Sequence, residues 1–257
     1  MNQKKFKLMA TWLKEVRGQI LAWLDEDFTI EEKTSRSDLV TEVDKAVQDF
    51  LVAKINTHFP TDAILAEENG MDKTAIANGA VWVIDPIDGT LNFAVQHDNF
   101  AILVAYYFEG EGQFGFVYDV MKNKLFSGGE EFGVQLNGQS LKPVKQKTFS
   151  EGLIGVNAGM YRKNVHQVAE LADQTLGVRV NGSAGLEFCA LFEGKLLGYV
   201  SRLCPWDYAA GTIIAEQLGF CYSDLDGEPL DYQSWQPFII FQTDSYAKAL
   251  EILNPKK

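Results

Sequence analysis

Asp85 and Asp88 lie three positions apart at the end of an apolar run, Ala80-Val81-Trp82-Val83-Ile84, with Pro86 between them and Gly89-Thr90 directly behind. Two carboxylates held that close repel each other unless a cation sits between them. Mg2+ suits the place, because it takes oxygen ligands, uses few carboxylates and keeps several waters. The turn also exposes the Ile87 carbonyl as a further oxygen donor. The backbone amides of Gly89 and Thr90 are placed to face an anion. Acids for a metal beside amides for a phosphate point to metal-assisted phosphoryl transfer to water.

Other polar residues join this set on weaker grounds. Glu67 follows the short apolar run 63–66. It reaches the same cluster if that run lies beside the run at 81–84, and otherwise Glu67-Glu68-Asn69-Gly70 is a solvated loop. Asp207, in Pro205-Trp206-Asp207-Tyr208-Ala209-Ala210-Gly211, opens a helix. It either serves the helix dipole or delivers a carboxylate from the second half of the chain to the metal. Asp44 completes a Thr41-x-x-Asp44 capping box and also sits on the apolar flank of its helix, where it is placed to orient a water; the two roles are compatible. Ser183 either caps the helix it precedes or touches the substrate there. His58, His97 and His166 show no metal or triad spacing, and neither a nucleotide P-loop nor a Rossmann glycine fingerprint is present.

The elements that must position these residues are legible from periodicity. Phe6, Met9, Leu13, Val16, Ile20 and Leu24 predict a helix over 4–25, and Val43, Val47, Phe50, Leu51 and Ile55 predict a second over 41–58, ended by Pro60. Strands are predicted at 63–66 and 81–84, the second stopped by Pro86. A meander follows, with strands at 100–108, 113–120, 124–127 and 134–136 and a turn at Asn137-Gly138. After about residue 150 the order alternates. Strands are predicted at 153–157, 178–180, 196–200, 220–223 and 237–242, and helices near 163–175, 184–193, 206–218 and 245–253. A meander half (1–150) joined to an alternating half (151–257), with no repeat, linker or low-complexity segment, predicts layered α/β or α+β architecture in a single domain of 257 residues.

Composition narrows the class. Apolar residues make up 46% and charged residues 23%, as in ordinary globular proteins. The formal net charge of −12 disfavours direct nucleic-acid binding. Cys189, Cys204 and Cys221 form no C-x-x-C, so reduced cytoplasm is the expected compartment. No run approaches the length of a membrane span.

At this point the chain resembles a known family, the magnesium-dependent, lithium-sensitive inositol monophosphatases. Asp85-Pro86-Ile87-Asp88-Gly89-Thr90-Leu91-Asn92-Phe93 matches its first signature, and Trp206-Asp207-Tyr208-Ala209-Ala210-Gly211 matches its second. Ala66-Glu67-Glu68 stands for its Gly-Glu-Glu, and Asp38-Leu39-Val40-Thr41-Glu42-Val43-Asp44 for its Asp-Leu-Val-Thr-x-x-Asp. The resemblance implies the α-β-α-β-α sandwich shared with fructose-1,6-bisphosphatases, commonly as a homodimer. It implies that Glu67, Asp85 and the Ile87 carbonyl hold one Mg2+, that Asp85, Asp88 and Asp207 hold a second, and that Glu67 helps with a third. It further implies that the Gly89 and Thr90 amides bind the phosphate while Thr90 and Asp44 orient the attacking water.

The chain departs from the pattern where the family reads its substrate. Inositol-selective members carry a glutamate shortly before the Trp-Asp motif; here Ser201 takes its place, the following loop is one residue shorter, and Arg202 adds a cation. The segment 94–99 is one residue longer than usual. The expected substrate is inositol monophosphate or a related small sugar or polyol phosphate. Fructose-1,6-bisphosphate, an adenosine bisphosphate or NADP is the alternative on the same fold. A haloacid-dehalogenase-type site is disfavoured, because its two acids are one residue apart rather than two. A regulatory protein of RNA-synthesis complexes is the alternative of another class.

Overall fold

The computed structural model describes residues 2–24, 30–35, 38–68 and 73–255, with the backbone alone at 30, 32–35 and 38–40. The chain starts with helix α1 (Asn2–Trp23), which buries Phe6, Met9, Leu13, Val16 and Ile20 at the predicted spacing. Two short antiparallel strands, β1 (Ile30–Ser35) and β2 (Asp38–Thr41), follow where periodicity predicted nothing; their polar residues carry no alternating pattern. Helix α2 (Glu42–His58) starts at Thr41, whose hydroxyl accepts the Val43 and Asp44 amides while Asp44 accepts the Thr41 amide at 2.9 Å. The Asn69-Gly70 pair predicted to close the loop after Glu68 lies outside the described residues, as does position 25.

Strand β3 (Ala63–Ala66) pairs in parallel with β4 (Ala80–Asp88). Pro86 does not end β4 as predicted. The ladder to β5 (Ala101–Phe108) runs Asp85↔Leu103 and then Asp88↔Ala101, three residues of β4 against two of β5. That is a one-residue bulge, and it accommodates a residue with no N–H to donate. Side chains alternate along a strand, so Asp85 shares the face of Val81 and Val83. Without the bulge, Asp88 would point to the opposite face; with it, Asp88 returns to the face of Asp85.

A short helix unforeseen from periodicity, α3 (Thr90–Gln96), separates β4 from β5. The meander continues with β6 (Glu111–Asp119), β7 (Lys124–Gly129), β8 (Gly133–Leu136) and β9 (Gln139–Ser140), giving a seven-stranded sheet in sequence order. Asn137 and Gly138 join β8 to β9 with φ of 52° and 81°, the left-handed pair that a two-residue hairpin of this type needs.

The second half contains β10 (Ile154–Val156), α4 (Ala158–Arg162), α5 (Val168–Asp173), β11 (Val178–Arg179), α6 (Ala184–Phe192) and β12 (Gly198–Leu203). It ends with α7 (Pro205–Glu216), β13 (Phe220–Ser223), β14 (Gln236–Gln242) and α8 (Thr243–Leu253). The helix predicted near 163–175 is broken, because Asn164, His166 and Gln167 all have positive φ. The strand predicted at 196–200 is shifted to Gly198–Leu203. These strands form a sheet of order β11-β10-β12-β14-β13.

Alternation stacks the layers. Trp82 and Ile84 of β4 pack on α1 and α2, whereas Val81 and Val83 pack on α6 and α7. Tyr199, Leu203, Phe238 and Ile240 of the second sheet cover the other side of α6 and α7. Val200, Ile239 and Phe241 face α4, α5 and α8. The result is an α-β-α-β-α sandwich. A fully buried Val or Ile contributes about 1.5–3 kcal/mol, so a register slip that inverted Val81–Ile84 would be costly and would turn Asp85 away from the middle layer.

Candidate active site

The bulge in β4 and the start of α7 bring three carboxylates together. Asp85, Asp88 and Asp207 each offer an oxygen within 4.8 Å of the others. They line a cavity of about 830 Å³, shared with Glu67, Ile87, Gly89, Thr90, Ser183, Ser201 and Arg202. Glu67 stands at the end of β3, and its amide donates to the Ile84 carbonyl at 3.3 Å. The parallel pairing of β3 with β4 therefore places it beside the aspartates rather than in a remote loop.

Asp88 and Asp207 are each fixed by hydrogen bonds of their own. Asp88 accepts from the Ser183 hydroxyl, from the Gly185 amide at 2.6 Å and from the Ala184 amide at 3.1 Å, all at the start of α6. Gly185 permits this approach, since a Cβ there would stand 2.6 Å from the Ala101 Cβ and 3.0 Å from Asp88 Oδ2. Ser183 also caps α6 by accepting the Leu186 amide at 3.2 Å. Asp207 takes the third position of α7, where one oxygen accepts the Cys204 amide at 2.7 Å. Gly89 has φ of 89°, and a Cβ there would meet the Ser183 Cβ at 3.0 Å, so conformation and space both require glycine.

Asp44 stands one layer behind the cavity wall. Its Oδ2 closes the capping box with Thr41, and its Oδ1 accepts from the Thr90 hydroxyl at 3.0 Å. Thr90 Oγ1 also lies 3.1 Å from the Ile87 carbonyl. Capping and contact with the site thus coexist in one side chain.

The electrostatics are those of a crowded acidic cluster. Burial, then the charges of Glu67, Asp88 and Asp207, hold Asp85 well above the ordinary carboxylate range. Burial, then Asp88 and Glu67, does the same to Asp207. Burial raises Asp88 against the three hydrogen bonds it accepts, and burial pushes Asp44 up to about 6. Asp85 Oδ1 is buried with no hydrogen-bond partner. An all-oxygen donor set with an orphaned carboxylate oxygen and mutually repelling charges fits Mg2+.

Periodicity and motif overlooked one residue. Glu187 is 1% exposed, lines the cavity and is pushed by burial up to about 7. Its Oε1 accepts the Asn181 amide at 3.1 Å, and its Oε2 has no partner. The available signal was an acid inside the otherwise apolar stretch Ala184–Phe192.

The clustered carboxylates lie in the middle of the five layers, between the two sheets. The profile of the Inositol monophosphatase family matches residues 4–253, and the chain belongs to that family. It is 37% identical over 226 residues to the inositol-1-monophosphatase of Bacillus subtilis, covering 86% of this chain and 85% of that one. It is 32% identical over 200 residues to the fructose-1,6-bisphosphatase/inositol-1-monophosphatase of Thermotoga maritima, covering 77% and 76%. The Nus factor SuhB of Escherichia coli is also similar, 31% identical over 197 residues, covering 74% and 73%. Among solved structures, an IMPase/NADP phosphatase with NADP and Ca2+ superposes with a TM-score of 0.92 at 31% identity, covering all of this chain and 97% of that one. A structure of an IMPase/NADP phosphatase with Mg2+ and phosphate superposes with a TM-score of 0.91 at 31% identity, covering 99% and 96%. Among the described residues, no helix is long and apolar enough to cross a membrane.

Proposed function

We propose that this protein hydrolyses inositol monophosphate or a related small sugar or polyol phosphate with Mg2+, its two halves working as one body. The observation that carries the reading is the convergence of Asp85 and Asp88 from the first half with Asp207 from the second. Glu67, Asp85, Asp88, Asp207 and the Ile87 carbonyl would hold two or three ions. Bound there, Mg2+ would neutralise phosphoryl charge, acidify the attacking water and stabilise the departing alkoxide.

The chain's own groups supply position and proton balance. The Gly89 and Thr90 amides face the phosphate, and Ser183 fixes Asp88 beside it. The Thr90 hydroxyl and Asp44 orient the attacking water. An acid pushed up to about 6 is a proton acceptor matched to near-neutral pH. Asp44 is held on both oxygens, so its orientation is set before substrate arrives. Among the described residues no side chain forms a nucleophile with its own base, so direct attack by water is the economical route.

Ser201 and Arg202 favour the same-fold alternative at the level of substrate. Ser201 is buried on the cavity wall, where the inositol-selective pattern has a glutamate, and exposed Arg202 adds a cation at its edge. A guanidinium pairs bidentately with phosphate, so a substrate with a second anionic group gains there. The Bacillus subtilis relative supports inositol phosphate, and the IMPase/NADP phosphatase supports NADP. The test is phosphate release from inositol 1-phosphate, fructose 1,6-bisphosphate, an adenosine bisphosphate and NADP with Mg2+. Release from at least one, abolished by chelator, is expected. Release from none would overturn the reading.

A further inference from the structure

The turn that supports Asp88 is itself gripped from two sides. Asp88 takes its hydrogen bonds from residues 183–185, in the other half of the chain. These follow Gly182, whose φ of 72° glycine adopts at little cost. A glycine there leaves the turn free to swing unless its neighbours are tied. Asn181, directly before it, is tied at both its amide and its carbonyl. The Asn181 carbonyl accepts from the Asn92 side chain at 2.8 Å, and the Asn181 amide donates to Glu187 Oε1 at 3.1 Å. Asn92 belongs to α3 and Glu187 to α6, so two helices hold one residue of backbone.

Asn92 ties this turn to the Gly89-Thr90 side of the site. It is 8% exposed, and its Nδ2 also donates to the Asn99 carbonyl at 2.8 Å. Both partners are carbonyls, so the side chain must present its NH2 group to them. Its amide also packs on Gly182, where a Cβ would stand 3.2 Å from Asn92 Oδ1. A Cβ on Gly89 would meet the Asn99 carbonyl at 3.3 Å and the Gly182 carbonyl at 3.4 Å. The turn at Gly89, the chain at Asn99 and the turn at 181–183 are therefore packed backbone against backbone, and Asn92 bonds across them.

Glu187 reaches Asn181 from a slot against the second sheet. Gly155 of β10 leaves the room, since a Cβ there would stand 2.5 Å from Glu187 Oε2 and 2.9 Å from Tyr199 Cδ2. Burying an acid costs free energy that an apolar side chain in the same place would not. What this acid does with its oxygens is hold Asn181. Partners that orient the ligands of a metal typically contribute about 10–100-fold to its affinity.

We propose that Asn92 and Glu187 are positioning residues, which clamp Asn181 between α3 and α6 and so fix the 183–185 turn on Asp88 before metal or substrate arrives. The proposal rests on the reading of Asp88 as a Mg2+ ligand and adds the groups that hold it in place; neither residue touches the reacting atoms. The experiment measures Mg2+ binding by calorimetry and metal-free Tm in wild type, Asn92→Ala, Glu187→Ala, their double variant and Glu187→Gln, with amide hydrogen exchange on metal-free wild type. Each alanine variant should stay folded and bind Mg2+ roughly 10–100-fold more weakly. The double variant should lose less than the product of the two factors, because both bonds hold one residue. Glu187→Gln keeps the acceptor and should bind Mg2+ as wild type does. The Asn181 amide should exchange slowly in wild type although Asn181 is exposed. Wild-type Mg2+ affinity in alanine variants that only melt lower would overturn the proposal, as would losses that multiply in full or a Glu187→Gln variant as weak as Glu187→Ala. Should the alanine variants not fold, exchange of the wild-type Asn181 amide at an open-chain rate would overturn the clamp by itself. No readout here needs a substrate, so absent phosphate release with the expected Mg2+ losses would refute the phosphatase reading and leave the clamp standing.

Discussion

Replacing Asp44 with alanine separates the two jobs of one buried carboxyl. Burial raises it from an ordinary 3.8 to about 6, which corresponds to about 3 kcal/mol of discrimination against the ionised form. Below pH 3.8 that cost is absent. As pH rises through the folded value, the native state comes to bear it in full. At pH 7.5 Asp44→Ala removes this cost and loses a capping box that contributes about 0.5–2 kcal/mol. The two changes oppose each other, so Tm should move by only a few degrees, at about 2–4 °C per kcal/mol for a chain of this size. The rate should not be spared. The same change leaves the Thr90 hydroxyl without its 3.0 Å carboxylate partner, and losing a group that orients the attacking water costs roughly 10²-fold or more in kcat. Thermal melts and phosphate release at pH 7.5 measure both, and Thr90→Ala should cost a similar factor that does not multiply with the first. Normal turnover in an Asp44→Ala variant that melts several degrees lower would show that Asp44 only caps α2.

Other outcomes follow from the same cluster. In Asp207→Asn the amide oxygen still accepts the Cys204 amide, so the helix stays capped; metal-free Tm should rise as charge repulsion is relieved, while turnover and Mg2+ affinity collapse, as read by melts with and without Mg2+. Every shifted acid in the site is raised, with Asp44 near 6 and Glu187 near 7, so the native metal-free protein binds more protons than the unfolded chain; its Tm should fall as pH rises from about 4 to 8, and saturating Mg2+ should flatten that slope. A metal-free Tm that climbed over this window would contradict the assignment. Glu187→Gln keeps an acceptor for the Asn181 amide and should raise Tm at pH 8 but hardly at pH 5, where the native glutamate is already neutral. Lithium should inhibit, as is typical of this family, and a rate indifferent to it would argue for a different metal arrangement.

The site was legible because its signals are local. Asp85, Asp88, Gly89 and Thr90 fall within six consecutive positions at the end of an apolar strand, and the pattern at Trp206-Asp207 stands at the start of an equally clear helix. What sequence could not supply was the pairing that orients them. Pro86 reads as a stop, yet the ladder continues past it with one extra residue, and only the partner strand reveals that this bulge turns Asp88 to the side of Asp85. Strand β1 escaped because Glu31, Glu32, Lys33 and Thr34 offer no apolar alternation and, among the described residues, β1 pairs only with β2. The break at Asn164–Gln167 escaped because left-handed backbone at His166 leaves no trace in hydrophobic periodicity. Glu187 escaped for a different reason: it lines the cavity through tertiary packing, under the start of α6.

The central claim is that oxygen donors from both halves of the chain hold the Mg2+ on which hydrolysis depends. Its most direct measurement is phosphate release from inositol 1-phosphate across a Mg2+ titration, in wild type and Asp85→Asn, with excess chelator as the zero point. We predict no release in chelator, saturable activation of wild type by Mg2+, and a folded Asp85→Asn protein that stays inactive throughout the range. Undiminished release in excess chelator, or normal Mg2+ activation of Asp85→Asn, would contradict the account.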